Sequence, residues 1–368
     1  MVEGSPGAGA VLRLIRDGRA TTRSQLTLQT GLSRSTLAER VQSLLSLGLV
    51  NEANGASTGG RPPATLEFNP SVGVVLAAAV SSTICRVTIR DLATVALSEH
   101  SFAVEDESFD TGALRSRLAL ALERAAVPTE QVWAVGIGYD EDVDPPDPTV
   151  FTGAPVLVDR HVNLLALAEQ WTHWRSVEHL LYVSVGETIG SGIVSCGRVH
   201  HGARGAAGGI GHIRVRGHED VLCPCGNTSC LEAVVGGRAL AEQLRAAGLQ
   251  AQTAADVAAL ARGGVPAAVQ AVRGAGRSVG EVLAECINFY NPGAIVLGGE
   301  LAEASHHLLA GLRETAFARS LPMATRDLVV GPARLGADAG TIGAAVMAIE
   351  HVLAEEYVDR AAHRDNGG

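Results

Sequence analysis

Lysine is absent from these 368 residues; all 29 basic side chains are arginine. That bias is compositional and carries no mechanism. Aromatic residues make up only 4%, so ring packing cannot build the interior. Ala, Leu and Val must build it, and a hydrophobic share of 46% excludes wholesale disorder. No run of about 18 apolar residues occurs, which excludes a membrane-spanning helix. The opening residues lack a basic stretch followed by an apolar one, so no signal peptide is expected and the cytoplasm is the expected location. Six cysteines without a secretory signal read as reduced thiols or metal ligands, not as a disulfide frame. Excess positive charge is also missing. A net charge of −10 excludes a protein that coats nucleic acid with its whole surface.

The charge is unevenly spread. Residues 1–68 carry seven Arg against five acids, a net of +2, and the remainder nets −12. A small positive module on an acidic body fits a DNA-facing domain. Within it, a first helix is expected over Ala8–Arg16, with Val11, Leu12 and Ile15 on one face. Thr22-Arg23-Ser24-Gln25 has capping-box form and starts a second helix ending near Thr30. Gly31 supplies a tight turn. Ser33 caps a third helix, in which Leu37, Val41, Leu44 and Leu45 make one buried stripe. Gly48 suits the position just past its end.

Helix, Gly-containing turn and helix make the helix-turn-helix layout, whose second helix meets base edges with its N-terminal residues. Those residues are Arg34, Ser35 and Thr36, with Arg40 one turn later. Arg can pair bidentately with guanine, and Ser and Thr can reach bases or phosphates. A hairpin follows, with strands near Leu49–Glu52 and Thr65–Phe68. At its tip, Gly59-Gly60-Arg61-Pro62-Pro63 could place one guanidinium in the minor groove. The candidate DNA contacts are therefore Arg23, Ser33, Arg34, Ser35, Thr36, Arg40 and Arg61.

From Gly73 onward, apolar strands alternate with Ala/Leu-rich helices, an α/β pattern. Strands are expected at Val74–Ala79, Arg86–Ile89, Val132–Ile137, Leu180–Val185, Ile193–Ser195 and Ala294–Leu297. Helices are expected at Gly112–Ala125, Leu164–Trp174, Gly237–Ala246 and Ala267–Phe289. The polar tail from about Glu356 to Gly368 is expected to fray.

Cys223-Pro224-Cys225-Gly226-Asn227-Thr228-Ser229-Cys230 sets three thiols within eight residues. His212 lies eleven residues upstream of the first. One His and three Cys can close a tetrahedral shell around zinc, and thiolate softness selects against calcium and magnesium. Cys85, Cys196 and Cys286 lie in apolar stretches and are expected to be plain core residues.

A winged helix-turn-helix with a GGRPP wing, then a body carrying GxGH, CxCGxxxCLE and NPxxIVLGGELA, resembles the ROK family (repressors, open reading frames, kinases). The resemblance covers nearly the whole chain. It implies a winged helix-turn-helix over residues 1–70. A two-lobed, actin-like (ribonuclease-H-like) sugar-kinase body would follow over 71–368, with a zinc loop around 212–230. It also implies structural Zn2+ on His212, Cys223, Cys225 and Cys230, and a homodimer or homotetramer.

Against the family's kinase motifs this chain departs at most of the chemical positions. Ala79 stands where the first phosphate loop has Asp, and Ser81 where it has Gly. The second loop reads Gly186-Glu187-Thr188-Ile189-Gly190-Ser191-Gly192. Glu187 would set a carboxylate beside phosphate, where like charges at about 4 Å repel by roughly 1–4 kcal/mol. In Asp159-Arg160-His161-Val162-Asn163, His161 takes the place of the catalytic Asp and Arg160 that of the sugar-binding Asn. Gly209 replaces the Glu of ExGH, while His212 and Glu232 remain. No catalytic residue is therefore assigned and no enzyme activity is expected. Arg160, His161, His212 and Glu232 form a candidate effector pocket, for a sugar, a phosphosugar or another anion.

These features together predict a DNA-binding transcription regulator, a repressor before an activator, reading an inverted-repeat operator on double-stranded DNA without membrane association. Two other readings stay open: an active sugar kinase with an added DNA module, and a metal- or redox-responsive regulator.

Overall fold

The computed structural model describes residues 5–54, 64–104, 110–140, 143–218, 221–304 and 306–365. The chain divides into two compact units, Met1–Asp159 with Ala344–Gly368, and Arg160–Gly343.

The first unit opens with helices α1 (Ala8–Arg16), α2 (Arg23–Thr30) and α3 (Arg34–Ser46). Antiparallel strands β1 (Val50–Asn54) and β2 (Ala64–Phe68) follow, paired from Val50↔Phe68 to Asn54↔Ala64. Local chemistry sets these boundaries. Thr22 Oγ accepts from the Gln25 amide, and Gln25 Oε1 accepts from the Thr22 amide at 3.1 Å, so the capping box closes both ways. Gly31 and Gly48 both take the left-handed backbone, φ 69° and 70°, that lets the chain leave α2 and α3. Val11, Leu12, Ile15, Leu26, Leu37, Val41, Leu44 and Leu66 are all buried. Each such side chain contributes about 1.5–3 kcal/mol by leaving water.

The same unit continues with β3 (Val74–Val80), β4 (Ile84–Asp91), β5 (Ala96–Ala103), α4 (Thr111–Ala125), β6 (Val132–Tyr139) and β7 (Val156–Arg160). They form a sheet of order β5-β4-β3-β6-β7. Strand β3 runs antiparallel to β4 and parallel to β6. β3 is buried on both faces and reads as a continuous apolar run, whereas the edge strand β5 alternates.

The second unit holds α5 (His161–His173), β8 (His179–Val185), β9 (Ile189–Ser195), β10 (Arg198–Val199), α6 (Leu231–Val235), α7 (Gly237–Ala246), α8 (Ala254–Arg262) and α9 (Pro266–Tyr290). It continues with β11 (Ala294–Gly298), α10 (Glu300–Ala304), α11 (His306–Arg319), α12 (Pro322–Thr325) and β12 (Val329–Pro332). Its sheet order, β10-β9-β8-β11-β12, repeats that of the first unit strand for strand. In both, three consecutive antiparallel strands are followed by a fourth laid parallel to the first. This duplication is the actin-like architecture expected of the body. Helices α9 and α11 approach closely because Gly276, Gly280 and Gly311 leave no room for a Cβ against the facing backbone.

Helix α13 (Ala339–Val352) leads to α14 (Glu355–Asp365). The expectation of a frayed tail is corrected here. Residues 355–365 are helical, Val358 and Ala362 are buried, and α14 packs on α1 and α3. Among the described residues, no single helix is long and apolar enough to cross a membrane.

Candidate functional site

The N-terminal end of α3 is solvent-facing. Arg34 and Ser35 are exposed, and Thr36 and Arg40 are half-buried. Arg34 makes no hydrogen bond or ion pair among the described residues. Ser33 is engaged, since its hydroxyl accepts from the Thr36 amide at 3.1 Å and lies 2.9 Å from both the Ser35 and Thr36 hydroxyls. It therefore serves as the N-cap. Arg23, at the start of α2, forms an ion pair with Glu52 of β1 at 2.5 Å, bracing helix against wing strand. Arg40 Nε is buried without a hydrogen-bond partner among the described residues. The wing tip with Arg61 lies outside the described residues. The first turn of α3 thus offers one guanidinium and a hydroxyl cluster at a helix N-terminus, where the helix dipole and unpaired amides favour phosphate, with the half-buried Arg40 one turn on.

Helix α14 braces this module from behind. The Asp359 carboxylate accepts from the Gly9 amide at 2.8 Å, pairing one unsatisfied donor of α1. Arg13 pairs with Glu355 at 2.8 Å, and Arg16 with Glu350 at 2.6 Å. A Cβ on Gly9 would collide with the Glu355 backbone. Gly9→Ala should gain about 1 kcal/mol of helix propensity but lose about 1–3 kcal/mol to overpacking. A net fall in stability is therefore expected in urea melts. A stabilised Gly9→Ala variant would show that the α1–α14 contact is not formed in solution.

In the second unit, His212 and the three cysteines converge. His212 ends a short 3₁₀ turn over Ile210–His212, and Cys230 immediately precedes α6. Their ligand atoms all lie within 4.8 Å of one another. Cys223 Sγ is 3.7 Å from His212 Nδ1, and Cys225 Sγ is 3.6 Å from Cys230 Sγ. A tetrahedron with Zn–S near 2.3 Å has edges of about 3.8 Å, so the donor set fits a metal of that size. The Cys223 amide donates to Asn227 O at 2.8 Å, and Gly226 turns at φ 90°. Burial pushes the Cys230 thiol up, while the Asn227 amide, ahead of the Cys223 contact, pulls Cys225 down to about 7.

The residues that the sequence sets against the family's kinase motifs are engaged with the chain's own groups. Ala79 lies within β3, and the Ser81 hydroxyl accepts from the Ile84 amide at 3.1 Å to close the β3–β4 turn. In the second unit, the Glu187 carboxylate accepts from the Ala254 amide at 2.5 Å, at the N-terminus of α8. The Glu300 carboxylate lies where a Cβ of Gly186 would be. Two acids therefore flank the turn at Gly186 and Glu187.

The segments that carry the candidate effector residues each pack on strand β9. His161 opens α5, whose first turn packs on Gly192. Arg160 donates to Ala207 O at 2.6 Å, fastening it to the loop that packs on Ser191. Glu232, on α6, accepts from the Ile189 amide at 2.8 Å. Gly211, beside His212, packs on Ile189.

Of the cysteines outside this cluster, burial pushes Cys85 up to about 12 and Cys286 up to about 11. Cys85 is a buried core thiol, and Cys286 is half-buried against the core of the second unit. Cys196 is a correction: it is exposed, in the β9–β10 turn. The Gly197 that follows was the signal for a turn there.

Residues 149–351 match the ROK family. A xylose repressor of Caldicellulosiruptor bescii is 24% identical over 93% of this chain and 95% of its own length. The Escherichia coli DNA-binding transcriptional dual regulator NagC is 25% identical, over 87% of this chain and 88% of its own. The solved structure of a ROK family transcriptional regulator, a homologue of E. coli Mlc, superposes with a TM-score of 0.83 at 24% identity, covering 97% of this chain and 98% of that one. A ROK hexokinase from Thermus thermophilus superposes at 0.66 and 28% identity, covering 76% of this chain and 99% of the hexokinase.

Proposed function

This chain belongs to the ROK family, and on that premise we propose that it is a sequence-specific DNA-binding transcriptional repressor whose kinase-like body has lost phosphoryl transfer. The observation that carries the reading is the N-terminus of α3. A lone exposed Arg34 beside a cluster of hydroxyls stands on a helix whose other face is buried. Relatives that match about nine-tenths of the chain are named a repressor and a DNA-binding regulator. The hexokinase covers only 76% of it.

In this reading α3 lies in the major groove, with Arg34, Ser35, Thr36 and Arg40 toward DNA and Arg61 at the wing. The Arg23–Glu52 pair holds wing and helix in register. Two copies of the chain related by a two-fold axis would set recognition helices about 34 Å apart and read an inverted repeat. His212, Cys223, Cys225 and Cys230 would hold zinc, which as a closed site supplies cross-linking and no catalysis. The tie fixes the start of α6 and with it Glu232, which supports Ile189. An effector on Arg160, His161, His212 and Glu232 acts by binding one arrangement of the protein better than another.

Loss of phosphoryl transfer is supported by three residues. Ala79 offers no carboxylate for magnesium, His161 replaces the base, and Glu187 places negative charge at the α8 N-terminus. The test is ADP release from ATP across a hexose panel. No turnover above the blank is expected, and sugar-dependent ADP formation would establish the kinase reading instead.

A further inference from the structure

A second group of metal-binding side chains lies outside the Cys3His cluster. Glu178, His179 and Cys196 bring a carboxylate, an imidazole and a thiol within 4.8 Å of one another. We propose that they form an open, exchangeable site for a borderline divalent cation such as Zn2+.

Three features support this. First, the donor set is selective. A thiolate with an imidazole and a carboxylate suits zinc and its neighbours in the first transition row and disfavours calcium and magnesium. Three protein ligands leave the fourth tetrahedral position to water or an incoming ligand.

Second, the imidazole is held in place. The Ser195 hydroxyl lies 3.2 Å from His179 Nδ1, and the Tyr290 ring meets the imidazole edge-on at 6.0 Å between centroids, with planes at 86°. Tyr290 is itself fixed, its phenol donating to Val194 O at 2.6 Å. Such outer partners orient a metal-binding histidine. The Cys196 amide donates to Glu178 O at 2.7 Å, tying the thiol-bearing turn to the residue before β8.

Third, the turn does not account for its cysteine. Cys196 and Gly197 both have positive φ, 52° and 74°, in a two-residue hairpin loop between β9 and β10. Asn, Asp or Gly fit the first position of such a loop better than Cys. Glu178 and Cys196 are exposed, so an ion has a path to the site.

Full-length protein already holding zinc would be titrated with Co2+ and followed by absorption. Wild type should bind one further cobalt per chain, with a charge-transfer band characteristic of a single thiolate. Cys196→Ser should lose that ion and band while keeping the wild-type melting temperature and the first zinc. Ser195→Ala should weaken cobalt binding by about tenfold or more and keep the band. The proposal is overturned if wild type takes up no further ion at micromolar cobalt. Equal stoichiometry and an unchanged band in Cys196→Ser would overturn it as well.

Discussion

Arg34→Ala should weaken operator binding by about 1–3 kcal/mol, roughly 5- to 150-fold at fixed salt. Arg34 is exposed at the first position of α3 and has no partner within the described protein, so its removal leaves nothing unpaired behind. Stability should stay within about 0.5 kcal/mol, as for a surface substitution away from caps and cores. Fluorescence anisotropy with operator and scrambled duplexes separates two roles. A base-reading Arg34 shows a larger loss on the operator than on the scrambled duplex. A phosphate-binding Arg34 shows equal losses and a shallower salt dependence. Ser33→Ala is the contrast. It removes the cap on the Thr36 amide, so it should cost about 0.5–2 kcal/mol of stability, and any loss of affinity should follow the melting curve. Unchanged operator affinity in Arg34→Ala would sink the recognition-helix assignment.

Removing the metal is expected to be the most damaging perturbation of the body. Cys230→Ser deletes a buried donor of the proposed zinc site, at the start of α6 and at the bridge to Arg214. Structural zinc contributes about 10–16 kcal/mol in small peptides that have no other core. The second unit has a large aliphatic core of its own, so the loss should be smaller, about 4 kcal/mol. At that size the melting temperature should fall by roughly 10 °C, read by calorimetry alongside the zinc content. Thiols must lose protons to bind metal, so the apparent zinc affinity should fall as the pH is lowered. If stripped protein melts where the loaded protein does, the metal is not structural. If stripped protein stays folded but changes its DNA affinity, the cluster is a sensor.

Much of the DNA-binding module is legible in the primary structure. Helix α1 spans Ala8–Arg16 as expected, and the Thr22 box, Ser33 cap, Gly31 and Gly48 fall where their side chains or conformations require. In the body, α7 matches residue for residue, while β9 begins at Ile189 and not at Ile193. The early part of β9 is Gly- and Ser-rich, and that composition hides a strand which tertiary packing enforces. Helix α8, absent from the sequence-based expectations, carries its own signal, a Thr253–Asp256 capping box.

The division follows the range of the forces involved. Periodicity, caps, turns and a thiol cluster spanning eight residues act over a few positions, so the amino-acid order alone determined the helix-turn-helix and the Cys3His donor set. Contacts between distant segments were decided only when the chain closed. Asp359 reaches Gly9 across 350 positions, Glu187 meets the α8 amide of Ala254, and Glu178 and His179 come beside Cys196 by strand pairing. The charged composition of residues 355–365 concealed a short apolar stripe, because Val358 and Ala362 acquire meaning only once α1 is there to cover them.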